Sequence, residues 1–368
     1  MDYMQRAIEL AGRGTGSVNP NPLVGAVIVK DGKIIGEGWH EKYGGAHAEV
    51  NAFKNAVCDV EGADMYVTLE PCAHYGKTPP CAKAIAEHKI KRVFIGMKDP
   101  NPLVAGKGIK ILEDAGIEVV CGMHEDECRA LNPVFLKYIT TGRPFVVMKC
   151  AMSLDGKIAT CTGKSKWISS EGSRSSVQQM RHALPAIMVG INTVLADNPR
   201  LTCRIEGGRN PIKIIVDSKL RVPENALIFE NLPESRCIIA VGADYDRQKA
   251  QRLTERGVEL ICSPSSDGKV DLNALMDTLG KMKIDGILLE GGGTLNFSAL
   301  KTGIVDMAVC FIAPLFIGGS KAKTPVEGEG FAELTDAVRL ENMHVSEHCG
   351  DLLVYGTIRR DDNVYGNS

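Results

Sequence analysis

His47-Ala48-Glu49, followed after an apolar interval by Thr68-Leu69-Glu70-Pro71-Cys72-Ala73-His74-Tyr75-Gly76-Lys77-Thr78-Pro79-Pro80-Cys81, decides how this chain reads. One imidazole and two thiols, His47, Cys72 and Cys81, offer the nitrogen and sulfur ligands that Zn²⁺ takes and leave a fourth tetrahedral position for water. His47 stands at the entrance of a helix that runs on through Val50, Ala52 and Phe53, so His47 and Glu49 can face one site. Cys72 follows the apolar run Met65 to Leu69, which reads as a strand. Cys81 follows Thr78-Pro79-Pro80, an N-cap hydroxyl and prolines at a helix start, and a helix N-terminus favours a thiolate.

An open zinc position points to chemistry. Bound zinc brings the pKa of its water from about 15.7 to about 7, and Glu49 is placed to shuttle a proton to a departing amine. His-x-Glu followed by Pro-Cys-x-x-Cys is the pattern of zinc deaminases of nucleobases; here the two cysteines stand further apart. The blander readings are buried cysteines acting as small hydrophobes, or a closed structural zinc site with His74 as its fourth ligand.

Working outward, 368 residues exceed one typical core, and two domains are expected. A net charge of −2 creates no global field that would draw the chain to nucleic acid or an anionic membrane. Of the twelve cysteines, only Cys72 and Cys81 show ligand-like spacing, and the scatter of the others fits a reducing cytoplasm. No basic-then-apolar leader and no run of membrane-spanning length is present.

The first half alternates. A helix is predicted over Asp2 to Ala11, then strands over Leu23 to Val29 and Lys33 to Trp39 across an Asp31-Gly32 turn. After the metal helix come a strand over Met65 to Leu69, a helix over Cys81 to His88, and a strand over Arg92 to Met97. A helix over Gly108 to Ala115, a strand over Ile117 to Val120 and one helix from about Glu125 to Tyr138 complete an α/β layered domain. Thr140 to Pro144 reads as the seam, giving domains 1–143 and 144–368.

The second half alternates again. Strands are predicted over Phe145 to Met148, Ala186 to Gly190, Ile212 to Asp217, Cys237 to Gly242, Val258 to Cys262, Gly286 to Glu290, Met307 to Ile312 and Leu352 to Thr357. Helices are predicted over Ser173 to Arg181, Asp246 to Arg256 and Leu272 to Met282. In Glu290-Gly291-Gly292-Gly293-Thr294 a buried strand ends in glycines that lead into a helix, which exposes N–H groups to a phosphate; a plain tight turn is the alternative. Ser153 to Ala159, Trp167 and Asn192 to Thr202 are polar, turn-rich stretches where α/β sheets place ligands.

The order of these motifs resembles the bifunctional riboflavin-biosynthesis deaminase/reductase family over nearly the whole chain. The resemblance is carried by the long Cys72-to-Cys81 connection, by Asn19-Pro20-Asn21-Pro22-Leu23-Val24-Gly25, and by Asp99-Pro100-Asn101-Pro102. It implies a cytidine-deaminase-like three-layer domain followed by a dihydrofolate-reductase-like α/β domain. It further implies zinc-dependent hydrolytic deamination of a phosphoribosylaminopyrimidine, then NADPH-dependent reduction of the ribosyl group. By matching positions, zinc falls to His47, Cys72 and Cys81, and proton transfer to Glu49. Deaminase substrate contacts fall to Asn21, His40, His74, Lys77, Asp99 and Asn101. NADPH contacts fall to Ala151, Trp167, Thr193, Asp197, Ser218, Gly291, Gly292, Gly293 and Thr294, and reductase substrate contacts to Ser165, Arg181, Leu201, Arg204 and Glu290. Lys149, read at the end of the first reductase strand, is the expected proton donor or orienting cation. A homo-oligomer is expected. The rivals are a zinc deaminase of another nucleobase or nucleoside fused to an unrelated nucleotide-binding domain, and a non-catalytic protein with a structural zinc.

Overall fold

In the computed structural model, which describes residues 2–73, 79–101, 104–232 and 235–359, the chain divides into two units, residues 1–142 and 143–368. The first unit runs α1 (Tyr3–Gly12), β1 (Gly25–Lys30), β2 (Lys33–Trp39), α2 (Ala48–Lys54), β3 (Asp64–Leu69), α3 (Cys81–Glu87), β4 (Arg92–Met97), α4 (Lys107–Asp114), β5 (Glu118–Cys121), α5 (Glu125–Leu131) and α6 (Pro133–Thr141). Its sheet has the order β2-β1-β3-β4-β5, with β1 antiparallel to both neighbours and β3, β4 and β5 parallel. Alternate residues of β1 serve two cores. Ala26 and Ile28 pack with Ala48, Ala52, Ala82 and Ile85 of α2 and α3, and Val27 and Val29 with Met4, Ala7 and Leu10 of α1. A strand covered on both faces is apolar throughout, and the result is three layers. A Cβ on Gly38 of β2 would collide with the backbone of Ala48 and Ala52. Glycine there lets the helix that carries Glu49 lie against the sheet.

Two local readings of this unit need correcting. The single helix expected from Glu125 to Tyr138 is two, parted at Asn132 (φ −122°, ψ 37°) with Pro133 opening α6. Proline lacks the N–H that would continue α5, and Asn132 clamps Leu23, its Oδ1 accepting from Leu23 N at 2.8 Å and its Nδ2 donating to Leu23 O at 2.9 Å. The N-cap of α3 is Pro80, without a side-chain hydrogen bond; Thr78 lies outside the described residues.

The second unit runs β6 (Phe145–Ser153), α7 (Glu171–Ala183), β7 (Ala186–Gly190), α8 (Ile191–Asp197), β8 (Ile212–Val216), β9 (Cys237–Val241), α9 (Arg247–Glu255), β10 (Glu259–Cys262), α10 (Leu272–Lys281), β11 (Gly286–Leu289), α11 (Gly293–Lys301), β12 (Met307–Ala313), β13 (Leu340–His348) and β14 (Asp351–Ile358). The nine-stranded order is β10-β9-β8-β7-β11-β6-β12-β14-β13, parallel through β12 and antiparallel beyond it. Val146, Met148, Ile287 and Leu289 face one core with α10 and α11, while Ile187, Val189, Ile215 and Ile239 face the other with α8 and α9. Three features escaped the sequence. β6 continues to Ser153, so Lys149 lies inside the strand instead of at its end. Residues 191–197, read as turn-rich, form α8. β13 went unread because it is an exposed edge strand with no alternation of burial. Among the described residues no helix is long and apolar enough to cross a membrane.

Candidate active sites

In the first unit, the starts of α2 and α3 and the chain leaving β3 converge. His47 is the N-cap of α2, and Cys81 opens α3. His47 Nδ1 lies 3.5 Å from Cys72 Sγ and 3.3 Å from Cys81 Sγ, and the Cys81 N–H donates to Cys72 Sγ at 3.3 Å. The three donor atoms fall within 4.8 Å of one another. Tetrahedral zinc with bonds of about 2.1 Å to nitrogen and 2.3 Å to sulfur holds its donors roughly 3.5–3.8 Å apart, so this set fits the ion. The Cys81 thiol first, then the His47 ring and the Cys81 N–H, bring the Cys72 pKa down to about 4, against burial. The neighbouring Cys72 sulfur and then burial push the Cys81 thiol up. Glu49, in the first turn of α2, is 3% exposed, and burial raises its pKa.

The residues read as substrate contacts divide. Asn21, Asp99 and Asn101 are half-buried around this end of the sheet. His40 is buried with both ring nitrogens engaged, Nδ1 with Ala46 O at 2.9 Å and Nε2 with the Asn21 amide at 3.1 Å. It thereby ties Asn21 to the residue before His47. His74 and Lys77 lie outside the described residues.

The second unit has a cleft of about 830 Å³ whose walls include Thr193 and Asp197 of α8, Ser218 after β8, Gly292, Gly293 and Thr294 at the start of α11, and Ser165. The glycines differ in purpose. A Cβ on Gly291 would stand 2.7 Å from Asn296 Oδ1, and one on Gly293 2.7 Å from Thr324 O, whereas at Gly292 the nearest atom is Thr193 Oγ1 at 3.5 Å. Two are therefore demanded by packing, and the third keeps its open side to the cleft. Lys219 and Arg221 also line it; the sequence reading did not single them out, although both follow directly on a predicted strand end. Ala151 lies in β6 opposite Phe311, and Trp167 is 65% exposed with the Arg174 guanidinium 4.5 Å above its ring; neither is part of this wall.

Beside the cleft's glycine turn, Glu290 holds two cations. Arg181 Nε and Nη2 donate to its two oxygens at 2.7 and 3.2 Å, and Lys149 Nζ stands 3.8 Å away. Burial pushes the Glu290 pKa up, but Arg181 and then Lys149 outweigh it, and the net shift is downward. Arg181 also donates to Thr202 O at 3.0 Å. Arg204 is exposed. Leu201 buries its side chain in the second core with φ 52°, leaving only backbone for a ligand.

A family model described as the cytidine and deoxycytidylate deaminase zinc-binding region matches residues 1–97, and one described as the RibD C-terminal domain matches residues 144–354. The chain is 52% identical over 341 residues to the riboflavin biosynthesis protein RibD of Actinobacillus pleuropneumoniae, covering 93% of this chain and 90% of that one. Among solved structures it is similar to RibD of Acinetobacter baumannii, with a TM-score of 0.87 at 40% identity over 97% of this chain and 98% of the other. A Thermotoga maritima protein described as a diaminohydroxyphosphoribosylaminopyrimidine deaminase/5-amino-6-(5-phosphoribosylamino)uracil reductase gives a TM-score of 0.84 at 39% identity, covering 97% and 98%.

Proposed function

Because this chain belongs to the bifunctional RibD family of riboflavin biosynthesis, it is a deaminase joined to a reductase, and we propose that each reaction runs at the site its own unit builds. The observation that carries this reading is the His47, Cys72 and Cys81 cluster with a buried carboxyl, Glu49, two residues from its imidazole. The rival fusion to an unrelated domain falls with the match of residues 144–354 to the RibD C-terminal domain.

The first substrate is the diaminopyrimidinone that carries a phosphoribosylamino group. Zinc held by His47, Cys72 and Cys81 would supply Lewis-acid activation of water for attack on the amino-bearing ring carbon. Glu49, its carboxyl kept basic by burial, takes the proton that the water loses and hands one to the departing amine. A C–N bond is exchanged for a C–O bond and ammonia leaves. Asn21, Asp99 and Asn101 hold the ring, and His40 fixes Asn21. Lys77 and His74 are assigned to the ribose phosphate by their matching positions.

In the second unit NADPH would supply the hydride that reduces the opened ribosyl imine to ribityl. The Gly292 and Gly293 backbone at the start of α11 suits its phosphates, with Thr193, Asp197, Ser218 and Thr294 along the same cleft. Lys219 and Arg221 beside Ser218 favour a cofactor that carries an additional phosphate. Lys149 is assigned to orient the sugar or to move a proton to it, its charge kept in place by Glu290. Self-association belongs to the same reading, supported by the edge strand β13 with Met343 and Val345 exposed. A reducing compartment is supported by twelve cysteines, none in a disulfide.

Incubation of zinc-analysed protein with the diaminopyrimidinone phosphate, with and without NADPH, tests the scheme. Ammonia should appear without NADPH, and NADPH should be consumed only after ammonia release. Cofactor oxidation by the undeaminated substrate at the same rate would refute the order.

A further inference from the structure

Glu70 stands between the end of β3 and the ligand Cys72, and it is 3% exposed. Its carboxylate accepts four backbone N–H groups from chain 29 to 39 residues downstream. Oε2 takes Asp99 N at 3.2 Å and Gly106 N at 3.1 Å; Oε1 takes Gly108 N at 3.0 Å and Ile109 N at 3.4 Å. Three of these donors lie at the start of α4, where N–H groups have no partner within the helix. The fourth belongs to the residue read as a pyrimidine contact. The joint is tight from the other side as well, since a Cβ on Gly108 would collide with Pro71 O. The contact loop is itself tied together. Asn101 N donates to Asp99 Oδ1 at 2.9 Å, and Val104 N and Ala105 N donate to Asn101 O at 2.8 and 2.9 Å.

We infer that Glu70 is a positioning residue for deamination: by gathering these four N–H groups it sets Asp99 and Asn101 in place relative to Cys72. The inference rests on the reading that Asp99 and Asn101 hold the ring. The chemistry of the site asks for glutamate. Only a carboxylate brings two oxygens that each accept two hydrogen bonds; glutamine would turn an NH₂ toward two N–H donors, and aspartate would draw the group back by one methylene.

The test uses zinc-loaded full-length Glu70→Gln and Glu70→Asp, with Asn101→Ala beside them. In Glu70→Gln the deaminase KM should rise about tenfold or more while kcat changes less than about threefold, the scale expected when buried donors lose charged acceptors. Zinc content should stay at the wild-type level, amide exchange at Asp99, Gly106, Gly108 and Ile109 should quicken, and reduction of already deaminated substrate should be unchanged. Glu70→Asp should give an intermediate KM, and it decides alone if Glu70→Gln does not fold. A wild-type KM in the folded variants overturns the inference. So does a fall in kcat or zinc content with KM unmoved, which would make Glu70 a support of the metal ligands. Asn101→Ala separates the two levels. A raised KM there with a wild-type KM in the Glu70 variants leaves the loop's role standing and removes only Glu70's, whereas an unmoved KM in Asn101→Ala removes both.

Discussion

Arg181→Met should destabilise the second unit by roughly 3 kcal/mol, at the low end of the range for breaking a buried ion pair. The side chains of Arg181, Glu290 and Lys149 are only 14, 13 and 15% exposed, so solvent screens them little. Removing the guanidinium deletes the bidentate pair at 2.7 and 3.2 Å and the bond to Thr202 O. It leaves a buried carboxylate with Lys149 at 3.8 Å as partial compensation, which keeps the loss below the top of the range. The pH dependence follows. Glu290's pKa is depressed below 4.5 in the fold, so its contribution is present above 4.5 and is lost as pH falls. Without Arg181 burial is less opposed and the depression is smaller, so less stability should be lost as pH falls below 4.5. Calorimetry provides the assay, with the second unit's transition identified as the one that NADPH raises. A Tm fall of about 6–12 °C is expected for a unit of this size. Arg181→Met with Glu290→Met should recover part of it, since the stranded carboxylate is gone while Lys149 loses its partner. A single-variant loss under about 1 kcal/mol, or a double variant no more stable than the single, would refute the reasoning.

Glu49→Gln should lower deamination by about 10²–10⁴-fold with zinc content unchanged and reduction of already deaminated substrate intact; loss of the metal with the activity would instead make Glu49 structural. Arg221→Ala should weaken NADPH binding by roughly 10-fold or more while leaving NADH binding unchanged, read by titration calorimetry; equal weakening of both would remove Arg221 from phosphate recognition. Asp155 accepts from the Ser153 hydroxyl and from the N–H groups of Ile317 and Gly318, which bring its pKa down to about 2. A depressed acid stabilises above its unfolded value of 3.8 and loses that contribution as pH falls through about 2. Asp155→Asn should therefore be less stable at neutral pH and show a shallower acid slope in thermal melts followed by circular dichroism; parallel curves would refute this.

Much of the first site was legible because its signal is local. His47 and Glu49 are two residues apart, Cys72 follows an apolar strand, and Cys81 follows prolines that open a helix, so residue type and neighbourhood were enough to pick out the three donors that the fold gathers. The cleft was legible in part. A glycine run after a buried strand pointed to the cleft that Gly292 and Gly293 line, yet only packing separates Gly291 and Gly293, crowded by Asn296 and Thr324, from Gly292. Matching positions carry no record of burial or of intrachain partners. Both ring nitrogens of His40 are spent inside the chain, Leu201 turns its side chain into the core, and Arg181 is held by Glu290.

The sequence by itself determined the alternating layers, every strand but β13 and the His47, Cys72 and Cys81 donor cluster, because apolar periodicity and ligand chemistry are written in runs of adjacent residues. The tertiary structure alone decided that Glu70 reaches amides 29 to 39 residues away, that Asn132 parts α5 from α6 by clamping Leu23, and that β13 closes the sheet edge. Those outcomes depend on which distant backbone groups need a partner once water is excluded, and no local pattern records that need.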